Sequence, residues 1–377
     1  MAAFSRYILL LLASVLPLCV SAFGKAAYAD NSVLASGRWV KVRVDESGVY
    51  KVSDADLRKW GFPEPSRVRV YGYGGNRLSD RLTLSEYVDD LPMVQSERIG
   101  DGLVFYAVGV EKWGTTGDGN FVHSLNPYSV SGFYFLSDRD MDARAIPEGG
   151  SAETAGVVAE TFTERVYHEL EQVTPAESGH QLLGEDFRFT PSRTFRFSLP
   201  GRVEDTDVWM QVVFYAKTVS APGVISFTVN GSALQQSPSD RVRSTSDYGD
   251  TCRIRKRFRI SGSELALGMR FSVAGTVSLA HLDNISLNYM RRLELPAAGT
   301  LAFSSSERAL RLSGVTGGDV MVWDVTSPLS VVRMRVSLEQ GGSVCWKNDY
   351  SGLREYVAWS SEASLPSPLF AGEIPNQ

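Results

Sequence analysis

Cysteine is nearly absent from this chain: there are three in 377 residues, and one of them, Cys19, lies in an apolar leader. That excludes a disulfide-knit miniature scaffold and a cysteine-rich zinc module. Histidine is almost as scarce, with His123, His168, His180 and His281 making up the set. His168 opens "HELEQ", but a zinc-protease helix needs a second imidazole four residues on, where Gln172 stands, so His168 reads as an exposed linker residue. An excess of positive charge is also missing. The net charge is −5, which excludes a general nucleic-acid or membrane-surface binder. Beyond the leader, no stretch approaches the roughly 18 apolar residues of a membrane-spanning helix.

The leader itself is the first positive feature. "MAAFSRYILLLLASVLPLCVSAFGKAAYAD" carries Arg6, an apolar run from Tyr7 to Val20, and small-x-small sites ending at Ala22 and Ala29. This is the pattern of a secretory signal peptide, expected over residues 1–29 with cleavage after Ala22 or Ala29. Pro17 and the short run argue against a membrane span. Cys19 lacks the small preceding residue of a lipoprotein site, because Leu18 is there. Export places Cys252 and Cys345 where a disulfide is permitted, and two separate buried thiols are an equal reading.

Glycine is abundant, at 34 residues, aromatics make up 11%, and Val-rich stretches recur, so the expected fold class is all-β. "GRWVKVRVDESGVYKV" alternates apolar and charged residues about a turn and reads as a hairpin. "SDADLRKWGF" reads as a short helix, with Ser53 as cap and Gly61 as stop. "RVRVYGYGG", "GLVFYAVGV" and "GFYFLSD" complete an N-terminal β-rich domain over 30–150. "IPEGGSAETAG" (146–156) is small and polar and marks a linker, which the domain division carries over 151–179 and in which "FTERVYHELEQ" is a helical or extended connector. Six strand patterns from "RTFRFSL" to "LDNISLNYMRRL" predict a jelly-roll-like β-sandwich over 180–295. A second linker, "LPAAG", leads to a smaller β segment over 296–377.

No nucleophile–base pair and no cofactor motif is legible. "YGYGGN" lacks the spacing and following helix of a phosphate loop, and "TTGDGN" and "DYGD" lack a calcium loop's length. "TCRIRKRFRI" is the most distinctive stretch. At period two, Cys252, Ile254, Phe258 and Ile260 share one face and Arg253, Arg255, Arg257 and Arg259 the other. Cys252 therefore points inward as a structural residue. The four arginines, about 6.6 Å apart, form a positive stripe. It reads either as a wet face matched by acidic neighbours or as a dock for an anionic partner.

Several stretches, in order, resemble one family, the PorU cell-surface sortases of the type IX secretion system. They are "GRWVKVRVDESGVYKV", "VRVYGYGG", "GLVFYAVG", "HSLNPYSVSGFYFL", "GEDFRF", "LDNISLNYMRRL", "VWDVTSP" and "GEIPNQ". The resemblance covers nearly all of the chain after the leader. It implies a non-catalytic β-rich region in front of a caspase-like, gingipain-family cysteine peptidase domain, with "GEIPNQ" leading into that domain. It implies a parent enzyme that removes C-terminal sorting domains from secreted cargo and joins the cargo to anionic lipopolysaccharide. That enzyme would sit at the outer-membrane surface beside the barrel protein PorV. No residue here matches the family's catalytic cysteine and histidine, so Cys252, Cys345 and His281 inherit no role, and no cofactor is expected. The chain would then be a scaffold or docking region truncated before catalysis, with Phe370 and Ile374 exposed at a severed interface and the stretch from about 300 onwards protease-sensitive. The alternative is a stand-alone cell-surface carbohydrate-binding or adhesin β-sandwich protein.

Overall fold

The computed structural model describes residues 29–79, 88–139, 142–153, 156–174, 181–218, 221–243, 246, 249–297, 299–316 and 319–377. The signal-peptide reading and His180 fall outside them. The described chain is almost entirely β, as alternation of apolar and polar residues predicts, with one α-helix among the described residues.

The first unit contains β1 (Trp39–Val44), β2 (Gly48–Ser53), α1 (Asp54–Lys59), β3 (Arg69–Gly74), β4 (Met93–Val94), β5 (Ser96–Ile99), β6 (Gly102–Ala107), β7 (Glu111–Thr115), β8 (Phe121–Leu125) and β9 (Gly132–Ser137). Ser53 caps α1 by accepting the Asp56 N–H, and Gly61, at φ +92°, ends the turn that follows. The expected β1–β2 hairpin does not form. β1 pairs with β9, whereas β2 pairs with β6 in a different sheet. The turn between them passes the chain across one core, which Val40, Val42 and Val44 enter from one side and Tyr50 and Val52 from the other. Facing sheets bury both apolar faces, which a two-stranded hairpin cannot do. The glycines of "YGYGG" serve close packing: a Cβ on Gly75 would lie 2.2 Å from the Gly109 carbonyl oxygen.

The chain leaves through β10 (Glu148–Gly149) and enters a sandwich of β11 (Thr161–Glu169), β12 (Ser192–Ser198), β13 (Val208–Thr218), β14 (Gly223–Val229), β15 (Ser232–Ala233), β16 (Arg241–Val242), β17 (Asp250–Phe258), β18 (Glu264–Ser272) and β19 (Val277–Arg292). One sheet runs β11-β19-β13-β17; the other runs β12-β18-β14-β15, with β16 beside β14. Phe195, Phe214, Phe227, Ile254, Leu267 and Leu287 interlock between them. Residues 151–179, expected as a linker, therefore include a strand of the sandwich. β11 pairs with β19 along its whole length because Val166 packs on this core and Phe162 reaches the next one.

The third unit holds β20 (Thr300–Ser305), β21 (Ala309–Leu312), β22 (Val320–Asp324), β23 (Val332–Met334), β24 (Ser337–Glu339), β25 (Ser343–Lys347) and β26 (Arg354–Ser360). Both expected linkers are built into it. β10 pairs in parallel with β23, and Leu295 of "LPAAG" is buried in its core. A cluster of Val49 and Val104 with Trp323, Val357 and Trp359 joins this unit to the first one. The final strand, β27 (Leu369–Ile374), returns to pair with β1. Leu369 and Phe370 are half exposed, but Phe370 packs on Trp60 at 5.8 Å, so this end is a fifth strand of the first sheet and not a loose tail. The third unit has a core of its own besides that seam.

Candidate functional site

The outer face of the β11-β19-β13-β17 sheet should be wet, yet Gln211, Val213, Asn284, Ser286 and Asn288 on it are all buried. The β7–β8 hairpin of the first unit lies across it. Asn288 accepts the Phe121 N–H and donates to the Phe121 carbonyl, and Ser286 Oγ accepts the His123 N–H at 3.1 Å. These two side chains imitate the edge of a strand, so the hairpin docks on a sheet face through main-chain bonds.

Next to this seam, His123 Nδ1 meets Glu169 Oε2 at 2.7 Å, and its ring stacks on Tyr167 with centroids 3.5 Å apart. Burial and then the Glu111 and Glu169 charges push the Tyr167 phenol up to about 12. Arg165 ties all three units together. It pairs with Glu355 through two bonds of 3.0 and 2.9 Å and lies over Trp113 and Phe121 of the hairpin. A forked guanidinium suits this bidentate role.

The arginine stripe borders the same seam. Arg255 Nε donates to Gln211 Oε1 at 2.9 Å, Arg257 lies 3.7 Å from Asp118 in the hairpin turn, and Arg259 lies 2.8 Å from Asp207. Arg253 faces Asp283, whose acidity its charge favours. Each stripe arginine thus has a polar neighbour within the chain, and "TTGDGN" supplies one of them.

A cavity of about 340 Å³ opens between the hairpin and the sheet. Asp283 in its wall is an extra residue in β19: the register passes from Val213 opposite Asn284 to Phe214 opposite Leu282, a bulge. Burial, and then the Glu169 charge, push the Asp283 carboxyl up to about 6. Folding therefore favours its protonated form. The cost of ionisation is absent below the unfolded value of 3.8, grows between there and about 6, and is complete above, at roughly 2–3 kcal/mol. Glu171 on the exposed rim is raised for the same reasons, burial and then Glu169.

The other sequence candidates take no part in this site. Cys252 and Cys345 are separate free thiols, and burial raises both, which disfavours the nucleophilic thiolate. His168, expected exposed, is only partly so and bonds Glu185 at 2.7 Å. His281 is buried against the Gly184 carbonyl. Among the described residues, no three His, Cys, Asp or Glu side chains converge to hold a metal ion.

Comparison with solved structures finds the crystal structure of dimeric latent PorU from Porphyromonas gingivalis, with a TM-score of 0.80, 30% identity and 94% of this chain covered. The chain is a PorU-like N-terminal region. It spans 34% of the length of that PorU chain. A family 35 carbohydrate-binding module from Clostridium thermocellum matches 34% of this chain and 98% of its own, at 10% identity and a TM-score of 0.22. The Bacteroides plebeius beta-porphyranase BpGH86A matches 68% of this chain and 35% of its own, also at 10% and 0.22. Those two likenesses are too slight to bear on this chain. No family model and no curated protein matches the sequence. The PorU-like frame accounts for the seams described above: three β units held in a fixed arrangement by Arg165, Asn288 and β27 form a scaffold.

Proposed function

We propose that this chain is the scaffold and docking region of a type IX secretion sortase, exported by its leader and held at the outer-membrane surface beside the barrel PorV. In this reading the cysteine peptidase that cuts sorting domains from cargo, and joins cargo to anionic lipopolysaccharide, is a separate domain of the parent enzyme. The likeness to latent PorU over nearly the whole chain carries the reading. The thiols of Cys252 and Cys345, which burial raises away from the nucleophilic thiolate, agree with a non-catalytic part.

The purified chain is expected to bind PorV and to leave a peptide spanning a sorting-domain junction uncut. Turnover abolished by Cys252→Ala or Cys345→Ala would overturn the scaffold reading, and failure to bind PorV would remove the docking half of it. The β17 stripe is the surface proposed for anionic lipopolysaccharide. Because its arginines already have neighbours within the chain, changing Arg253, Arg255, Arg257 and Arg259 to Gln should weaken low-salt binding by about tenfold at most. Identical binding by both proteins, or binding indifferent to salt, would leave the stripe as an internal clamp for the hairpin.

A further inference from the structure

The cavity between the β7–β8 hairpin and the sandwich sheet is too costly to be packing alone. The β19 bulge turns two consecutive residues, Asp283 and Asn284, onto its lining, where a regular strand would send one of them to the opposite face. Asn284 is only 6% exposed, and its Oδ1 has no hydrogen-bond partner. A buried acceptor in that state costs stability unless something donates to it. Glu169 and Glu171 line the same space beside His123, whose Nδ1 meets Glu169 Oε2 at 2.7 Å, so acceptors and negative charge gather around that imidazole. Arg77 and Arg253 stand exposed among the lining residues and, with histidine counted as neutral, leave one net negative charge over these three carboxylates.

We propose that this cavity binds a small organic ammonium ion, whose N–H groups donate to Asn284 Oδ1 and to the carboxylates of Asp283 and Glu169. The carboxylates do not converge tightly enough to share a metal ion, whereas about 340 Å³ accommodates a small amine. Burial, and then the Glu169 charge, raise Asp283; an ammonium ion would offset that second contribution, and perturbed groups of this kind gather at functional sites. This assignment is independent of the sortase reading, since it rests on the residues of the seam alone.

The test is calorimetric titration of the whole chain at pH 7.5 with glucosamine and with n-butylammonium. Glucose and n-butanol serve as neutral counterparts, tetramethylammonium as a cation without N–H donors, and calcium chloride as the metal. Both ammonium probes, or one of them, should bind, and their order distinguishes an amino sugar from a side-chain-like amine. Asp283→Asn and Asn284→Leu should each weaken binding about tenfold, the loss of one charge-assisted hydrogen bond. Binding should also fade below about pH 6, where Asp283 takes up its proton. Asp283→Asn keeps shape and removes the buried charge, so it should melt higher than the parent at pH 7.5 and equal to it near pH 4, which confirms that the variant is folded. Equal binding of a neutral counterpart, tetramethylammonium or calcium would overturn the proposal, as would no binding of either ammonium probe or unchanged affinity in Asp283→Asn.

Discussion

Deleting residues 366–377 should loosen the first unit at β1, more than three hundred residues away in sequence, by about 3 kcal/mol. β27 covers the outer edge of β1, with Trp39 opposite Ile374 and Arg43 opposite Leu369. Its loss strips that ladder, the bond from the Lys51 N–H to the Pro366 carbonyl, and the Trp60–Phe370 contact. At about 0.5–1.5 kcal/mol for each net hydrogen bond, less the entropy regained by a freed strand, the sum is a few kcal/mol. An open edge on β1 would also invite pairing between chains. Hydrogen exchange reads the effect directly. The β1 amides that donate to β27 should exchange far faster in the truncated protein, while β13 and β19 keep their protection. Unchanged protection across residues 39–44 would mean that β27 is a passenger on this sheet. The Arg38–Glu373 ion pair is exposed at both ends and adds little to the expectation.

Strands were legible in the sequence because their signal is local, whereas their partners were not. "TCRIRKRFRI" gives its two faces by alternation, and the structure buries Ile254 and Phe258 and exposes the arginines accordingly. The same rule made a hairpin of β1 and β2, since a turn between two alternating strands looks alike whether the chain folds back or crosses a core. "FTERVYHELEQ" stayed ambiguous for a related reason. β11 is buried partly by Phe162 in one core and Val166 in another, so no single face carries a clean apolar row. The seam is harder still. Asn288 and Ser286 are polar residues alternating with Ile285, Leu287 and Tyr289, which is how a solvated face reads. Only a hairpin some 165 residues earlier, through Phe121 and His123, makes them interior. The bulge at Asp283 left a trace in "LDNISLNY", where two polar residues stand together in an otherwise alternating strand. That doubling is the one local hint of the cavity.

A second large effect follows from a charge that broke its own pattern. Lys256 stands between Ile254 and Phe258 on the inward face of β17, where alternation calls for an apolar residue. The structure gives it a partner. Its Nζ lies 2.7 Å from Asp240 Oδ2 and donates to the Gln235 carbonyl at 3.0 Å and to Ser237 Oγ at 3.1 Å. Asp240 is 1% exposed and also accepts the Ser237 N–H, closing a capping box on the 3-10 turn Pro238–Asp240. Lys256→Ala would strand that carboxylate in the interior. Removing one member of a buried pair costs about 3–5 kcal/mol, and the surviving Ser237 bonds place this case near the lower end. Lys256→Met with Asp240→Asn removes both charges and keeps volume, so it should recover most of the loss. Denaturant unfolding measures the three proteins. Cys252 supplies a local reading, because its Sγ donates to the Ser239 carbonyl beside Asp240, and a loosened turn should speed its alkylation in Lys256→Ala. A loss below about 1 kcal/mol in the single variant would show that water or the Ser237 donors suffice for Asp240. A double variant no better than the single one would show that the lysine matters for its packed stem and not for its charge.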